Sequence, residues 1–261
     1  MDRPITRRRF FGLGAAGAVA LAGGSGPLGA ATAGVGRFTA RLTGATGSTG
    51  QGGKPAQPVQ PGLHELGLAR GKDGIFAVPK GYSAEKPVPL IVMLHGARGR
   101  TEGFTQFCQV AAESGMAAAA PDARGQTWDL VLGGYGPDIA FLDRVLAHLF
   151  ARIAVDPRRV ALAGFSDGGS YALSVGLANG DLFTHVMAYS PGFMQPPGRE
   201  GKPAVWISHG TRDDILPIDG TSRRLVPRLK QWGYKVTYRE FNGGHELSPE
   251  IGLESFRWFK S

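Results

Sequence analysis

A series of short apolar runs, spaced by segments of helical periodicity, constrains this chain more than any other feature. VPLIVMLHG (88–96), GMAAAAPD (115–122), RRVALAG (158–164), HVMAYSPG (185–192) and PAVWISHG (203–210) are nearly continuous in apolar character, and YKVTYREF (234–241) closes the series. A strand apolar on successive residues must be covered on both faces, which is the condition of a parallel sheet. GIFAVP (74–79) reads as a further strand. Between the runs, DIAFLDRVLAHLFARI places apolar residues at 139, 142, 145, 146, 149, 150 and 153, close to helical spacing. TSRRLVPRLKQWG and SPEIGLESFRWFK supply the last two helices. Alternating strands and helices predict βαβ units and an α/β fold: a mostly parallel, doubly wound sheet with helices on both faces, in one domain over 62–261.

In open α/β sheets, ligand sites collect beyond the carboxyl ends of the strands. Reading the residues after each run gives His95-Gly96-Ala97, Pro121-Asp122, Ser166, Ser190-Pro191, His209 to Asp214, and Asn242 to His245. Among them stands Gly164-Phe165-Ser166-Asp167-Gly168, between an apolar run and an amphipathic segment. A GxSxG turn from strand to helix holds its serine in a strained conformation with the hydroxyl exposed, and the glycines clear its neighbours. A serine hydroxyl needs a base, commonly a histidine oriented by a carboxylate. His245, in a Gly-Gly loop before the last helix, is the candidate base. In HGTRDDILP, Asp213 and Asp214 compete for the acid, with Asp213 preferred. Serine, acid and histidine then follow in the chain order of an α/β-hydrolase.

The oxyanion formed by attack on a carbonyl needs backbone donors. The N–H of Asp167 and the N–H of Ala97 are the candidates, with His95-Gly96 shaping the loop of Ala97. Trp128, in PDARGQTWDLVLGGYGPD, either walls a substrate pocket or packs in the core. PGFMQPPGREG (191–201) is expected to border the same pocket, and His64, His148 and His185 are expected to be surface or packing residues.

Outside this region the sequence reads differently. Thr6-Arg7-Arg8-Arg9-Phe10-Phe11 precedes the mildly apolar GLGAAGAVALAGG and the small triplet Ala31-Thr32-Ala33. That is the form of a twin-arginine export signal over 1–33, cleaved after Ala33 or after Ala22. Its apolar run falls short of the roughly 20 residues needed to span hydrocarbon, so no stable membrane span is expected after processing. The expected location is periplasmic or extracellular, with the twin-arginine machinery as a partner. Residues 34–61, rich in Gly, Thr, Gln and Pro, are expected to be a flexible linker.

The chain carries 29 basic and 21 acidic residues, a net +8. Residues 1–33 hold four arginines and one aspartate, so +5 remains beyond them. Without a dense basic run, that charge does not point to nucleic acid. The single cysteine, Cys108, excludes an intramolecular disulfide and a thiolate zinc site. No metal or cofactor is expected.

LHGARG, GFSDGGSYALSVGLANGDLF, HGTRDDILP and GGHELSPE resemble the phospholipase/carboxylesterase branch of the α/β-hydrolases, the predicted serine esterases. The resemblance covers roughly 85–260. It implies ester hydrolysis without a metal, little or no cap domain, the nucleophile at Ser166, the base at His245 and the acid at Asp213. The family often has proline after its acid, so Asp214 is a departure. Two alternatives accompany the reading of an exported serine hydrolase acting on small-molecule or polymer esters. One is an acyltransferase or a depolymerase of polyester or decorated polysaccharide using the same three residues. The other is a non-catalytic binding module, which no residue favours because all three roles have candidates.

Overall fold

The computed structural model describes residues 41, 42, 55, 57 and 59–261. The export signal and most of the linker lie outside the described residues. Eight strands form one sheet: β1 (Gly62–Glu65), β2 (Gly74–Val78), β3 (Val88–Leu94), β4 (Ala117–Pro121), β5 (Val155–Phe165), β6 (His185–Tyr189), β7 (Ala204–Gly210) and β8 (Val236–Phe241). Their spatial order is β1-β2-β4-β3-β5-β6-β7-β8. All pairings from β4 onward are parallel, whereas β1–β2 and β2–β4 are antiparallel. The apolar runs thus become the parallel part, and the less apolar β1 and β2 extend the edge.

Alternation along each strand feeds two cores. In β3, Leu90, Val92 and Leu94 face one cluster while Ile91 and Met93 face the other. The first side is covered by α2 (Pro137–Arg152) and α3 (Asp167–Ala178), with α4 (Ser222–Gln231) packing on β6 and β7 beside them. The second is covered by α1 (Thr105–Glu113) and α5 (Pro249–Lys260). The sheet is therefore wound on both faces, and its active rim is where β3, β5, β7 and β8 end.

Two details depart from the sequence reading. The segment after Ser166 is not amphipathic: every residue of α3 from Gly168 to Ala178 is buried. Glycine makes this possible, since a Cβ on Gly176 would lie 2.5 Å from Val186 Cγ2. Helix α3 sits close against the sheet with other structure on all sides. The second departure concerns the linker, several of whose described residues are docked, Gln57 N–H donating to the Ala151 carbonyl and Val59 packing on the first core among them. Leu42 is only 3% exposed in the first core, and its N–H donates to Asn179 Oδ1 at 2.9 Å. Arg41 donates to both oxygens of Asp181, at 2.9 and 2.7 Å, and to the Ala178 carbonyl at 2.8 Å. The charged side chain thereby serves the C-terminal end of α3, where cations are favoured.

Candidate active site

Strand β5 delivers Ser166 to the rim through a turn that only this glycine pattern permits. Ser166 has φ 58° and ψ −119°, a conformation that costs a non-glycine residue about 1–3 kcal/mol. A Cβ on Gly164 would meet Gly168 O at 2.1 Å, and one on Gly168 would meet Leu94 O at 2.3 Å. The strain is held by the sheet: Ser166 N–H donates to Tyr189 O at 2.8 Å, and Ser170 N–H returns to Ser166 O at 3.0 Å.

His245 is brought over Ser166 by the loop between β8 and α5. That loop lies flush against the end of β7, where a Cβ on Gly210 would stand 2.2 Å from Gly244 O. The imidazole rests on the Phe165 ring at a centroid distance of 4.8 Å. Its Nε2 is 2.8 Å from Ser166 Oγ and its Nδ1 is 2.7 Å from Asp213 Oδ2. A carboxylate only accepts, so Nδ1 donates to Asp213 and the bare Nε2 accepts from the serine hydroxyl.

Asp213, just beyond β7, has its side chain fully buried, whereas Asp214 is exposed. Its Oδ1 accepts from the N–H groups of Ile215 at 3.0 Å and Leu216 at 2.8 Å. Burial opposes the charge, but hydrogen bonds from His209, His245 and the Leu216 amide outweigh it. They hold the carboxyl well below the usual carboxylate range.

The loop after β3 is shaped by His95. Its Nε2 accepts from the Ala123 N–H at 2.9 Å, so the ring hydrogen sits on Nδ1 and is donated to the Gly96 carbonyl at 2.7 Å. Burial lowers the His95 pKa and favours this neutral form. In a trans peptide the N–H points opposite to the C=O. Pinning the Gly96 carbonyl therefore also fixes the direction of the Ala97 N–H. Gly96 lies beside the serine, its added Cβ only 3.3 Å from Ser166 Cβ. Among the described residues, neither the Ala97 N–H nor the Asp167 N–H has a hydrogen-bond partner. The Asp167 carboxylate turns aside from this region to accept from Thr127 Oγ1 at 2.7 Å.

Trp128 is not a wall of a pocket. It is 1% exposed in the first core, stacked between the rings of His95 and Tyr171. Its indole N–H donates to the His95 carbonyl at 2.7 Å. The ring is a pillar beneath the loop of Ala97, because burying an indole requires a partner for its N–H and that carbonyl supplies one. Only the start of the 191–201 segment lies at the rim, where Ser170 Oγ accepts from Gly192 N–H at 2.9 Å. Beyond it the chain follows α3 away from Ser166, Gln195 N–H donating to Ser174 Oγ and Glu200 N–H to the Leu177 carbonyl. His64 and His148 pack on Phe76, and His185 packs on Trp258 and Phe259, none of them joined to Ser166. His209 was visible in the sequence only as one residue of the rim. In the fold its ring is buried with Nε2 3.0 Å from Asp213 Oδ2. Its small-residue surroundings gave no periodic signal that could have assigned it a role.

The model of the Esterase family matches residues 140–249, the stretch that carries Ser166, Asp213 and His245. "Probable feruloyl esterase C" of Aspergillus niger is 23% identical over 74% of this chain and 82% of its own length. Feruloyl esterase C of Emericella nidulans is 26% identical over 58% of each chain. The chain thus spans most of the first of these two relatives and a little over half of the second. Among solved structures, the Bacillus cereus carboxylesterase superposes with a TM-score of 0.56 at 18% identity, over 73% of this chain and 94% of that one. The chain is a carboxylic ester hydrolase with the α/β-hydrolase fold. The esterase keeps its site open at the strand ends. No inserted domain covers that rim among the described residues.

Proposed function

We propose that the esterase cleaves its ester through an acyl-enzyme on Ser166, with His245 as base and Asp213 as its orienting acid. The observation that carries this reading is the unbroken chain of hydrogen bonds from Ser166 Oγ through His245 to Asp213, at 2.8 and 2.7 Å. As Ser166 Oγ attacks the carbonyl carbon, its proton passes to His245 Nε2. The resulting oxyanion takes the N–H groups of Ala97 and Asp167, each such donor being worth on the order of a hundredfold in rate. His245 then gives the proton to the departing alkoxy oxygen, and the alcohol leaves. Water attacks the acyl-enzyme with His245 again as base, which releases the acid and restores the serine. Asp213 keeps the imidazole in the required tautomer and balances its transient positive charge.

The substrate we infer is an ester of an aromatic acid of the feruloyl type. Two relatives bear that activity in their names, and exposed Leu132 and Ile215 lie on the connections that follow β4 and β7. We further propose that the protein is exported by the twin-arginine route, on the strength of Arg8-Arg9-Phe10 and the run that follows. Exposure to a fluorophosphonate followed by peptide mapping tests the mechanism: a single adduct on Ser166, absent in His245→Ala, is expected. Comparison of methyl ferulate with methyl esters of short aliphatic acids tests the substrate, which fails as inferred if the aliphatic esters have the higher kcat/KM. Fractionation of cells carrying Arg8→Lys/Arg9→Lys tests export, and unchanged delivery of the double variant would refute it.

A further inference from the structure

We propose that His209 is a positioning residue for the esterase reaction, fixing the carboxylate oxygen to which His245 is hydrogen-bonded. The proposal rests on the Ser166–His245–Asp213 reading and extends it by one residue and its support, Ser222.

The hydrogens can be counted from the partners. His209 Nε2 is 2.8 Å from the Leu216 carbonyl and 3.0 Å from Asp213 Oδ2. Both are acceptors, so Nε2 carries hydrogen and shares it between them. Nδ1 is 2.7 Å from Ser222 Oγ. With the ring hydrogen on Nε2, the bare Nδ1 accepts from the Ser222 hydroxyl, which supports the tautomer that the two acceptors at Nε2 impose. Ser222 is itself fully buried at the start of α4, and the rings of His209 and the carboxylate of Asp213 have no exposed surface. Water has no access to replace any member of this chain.

The consequence falls on Asp213. Its Oδ2 takes two imidazole N–H groups and its Oδ1 takes two backbone N–H groups. Four donors leave the carboxylate no rotation that does not break one of them. His209 also holds the carbonyl of Leu216, whose N–H is one of the four, so the turn that presents the acid is tied at both ends. Removing His209 would leave the oxygen shared with His245 held by His245 alone. Small displacements in a catalytic array are costly in rate, up to about a hundredfold for 1 Å.

The test compares His209→Leu, His209→Gln and Ser222→Ala in the full protein on a soluble methyl ester. His209→Leu should lower kcat on the order of 10- to 100-fold with KM within about threefold, the pattern of an interaction that matters in the transition state. His209→Gln, whose amide N–H can reach Asp213, should recover most of that loss. Ser222→Ala should show a smaller fall in kcat. The downfield proton resonance of His245 Nδ1–H should shift in His209→Gln while the unfolding midpoint stays near that of the parent. Folded His209→Leu with kcat within twofold of the parent would overturn the proposal, as would Gln performing no better than Leu. If the leucine variant does not fold, unchanged kcat in Ser222→Ala together with an unshifted His245 Nδ1–H resonance in His209→Gln overturns it. Ser166→Ala separates the two readings. An active Ser166→Ala protein sinks the triad itself, whereas an inactive one beside fully active His209 variants sinks only the role of His209.

Discussion

Replacing Trp128 by phenylalanine separates a pillar from a pocket wall. The substitution keeps an aromatic ring between His95 and Tyr171 but removes the N–H that donates to the His95 carbonyl at 2.7 Å. That carbonyl is then buried without its partner, which costs about 1–3 kcal/mol. The smaller ring also leaves a void of roughly 40 Å³, worth about 1 kcal/mol at the usual cost per unit of cavity volume. The total is about 2–4 kcal/mol, readable as a lower urea midpoint at unchanged slope. Function should follow through the loop, because the freed carbonyl belongs to the residue whose ring pins Gly96 and, through it, Ala97. We expect kcat on a methyl ester to fall about tenfold with KM nearly constant, the sign of a donor lost in the transition state. Stability within about 0.5 kcal/mol of the parent, together with a raised KM for aromatic esters, would refute the reasoning. It would return Trp128 to the pocket.

Asp213→Asn should lower kcat by about four orders of magnitude by presenting the wrong hydrogen to His245, while exposed Asp214→Asn should stay within about threefold; steady-state kinetics on one ester decides between the two acids. Acid should destabilise the fold in two stages. His95 and His148 are held below their ordinary value by burial, and His185 is lowered to about 4 for the same reason. The unfolded chain therefore binds more protons below about pH 6.5, and stability falls from there downward. Asp213, held below the usual carboxylate range, adds stability that is present above about pH 4 and lost as pH falls through its lowered value. Urea midpoints that do not change between pH 8 and pH 4.5 would contradict this. Leu42→Ala should cost about 2–3 kcal/mol, at the low end of the range for a buried leucine; a chain begun at Gly62 should lose at least as much, and equal midpoints would show that the docked residues before β1 contribute nothing.

The parts of this protein that its sequence determines are those set by neighbours along the chain. Continuous apolar runs between helical segments read as strands covered on both faces, and the five of them emerge near their expected bounds as β3 to β7. Gly164 makes room for backbone only four residues on, at Gly168, so the turn could be read from Gly164-Phe165-Ser166-Asp167-Gly168, whereas Gly168 is also required by the Leu94 carbonyl that the sheet brings against it. Strand order also brings Ser166, Asp213 and His245 to one edge, because every parallel strand ends on the same side of its sheet. Other features have no local signature. Trp128 meets His95 across 33 residues, Asp167 meets Thr127 across 40, and Leu42 meets Asn179 across 137. Helix α1, the edge strand β1 and the complete burial of α3 likewise follow from what packs against them. His209 shows the division most clearly. The letters place it at a strand end, but its contacts with Asp213 and with Ser222 on α4 arise only when those segments pack around it. Steric rules and periodicity are properties of a few consecutive residues, whereas burial and the identity of a hydrogen-bond partner are properties of the packed molecule.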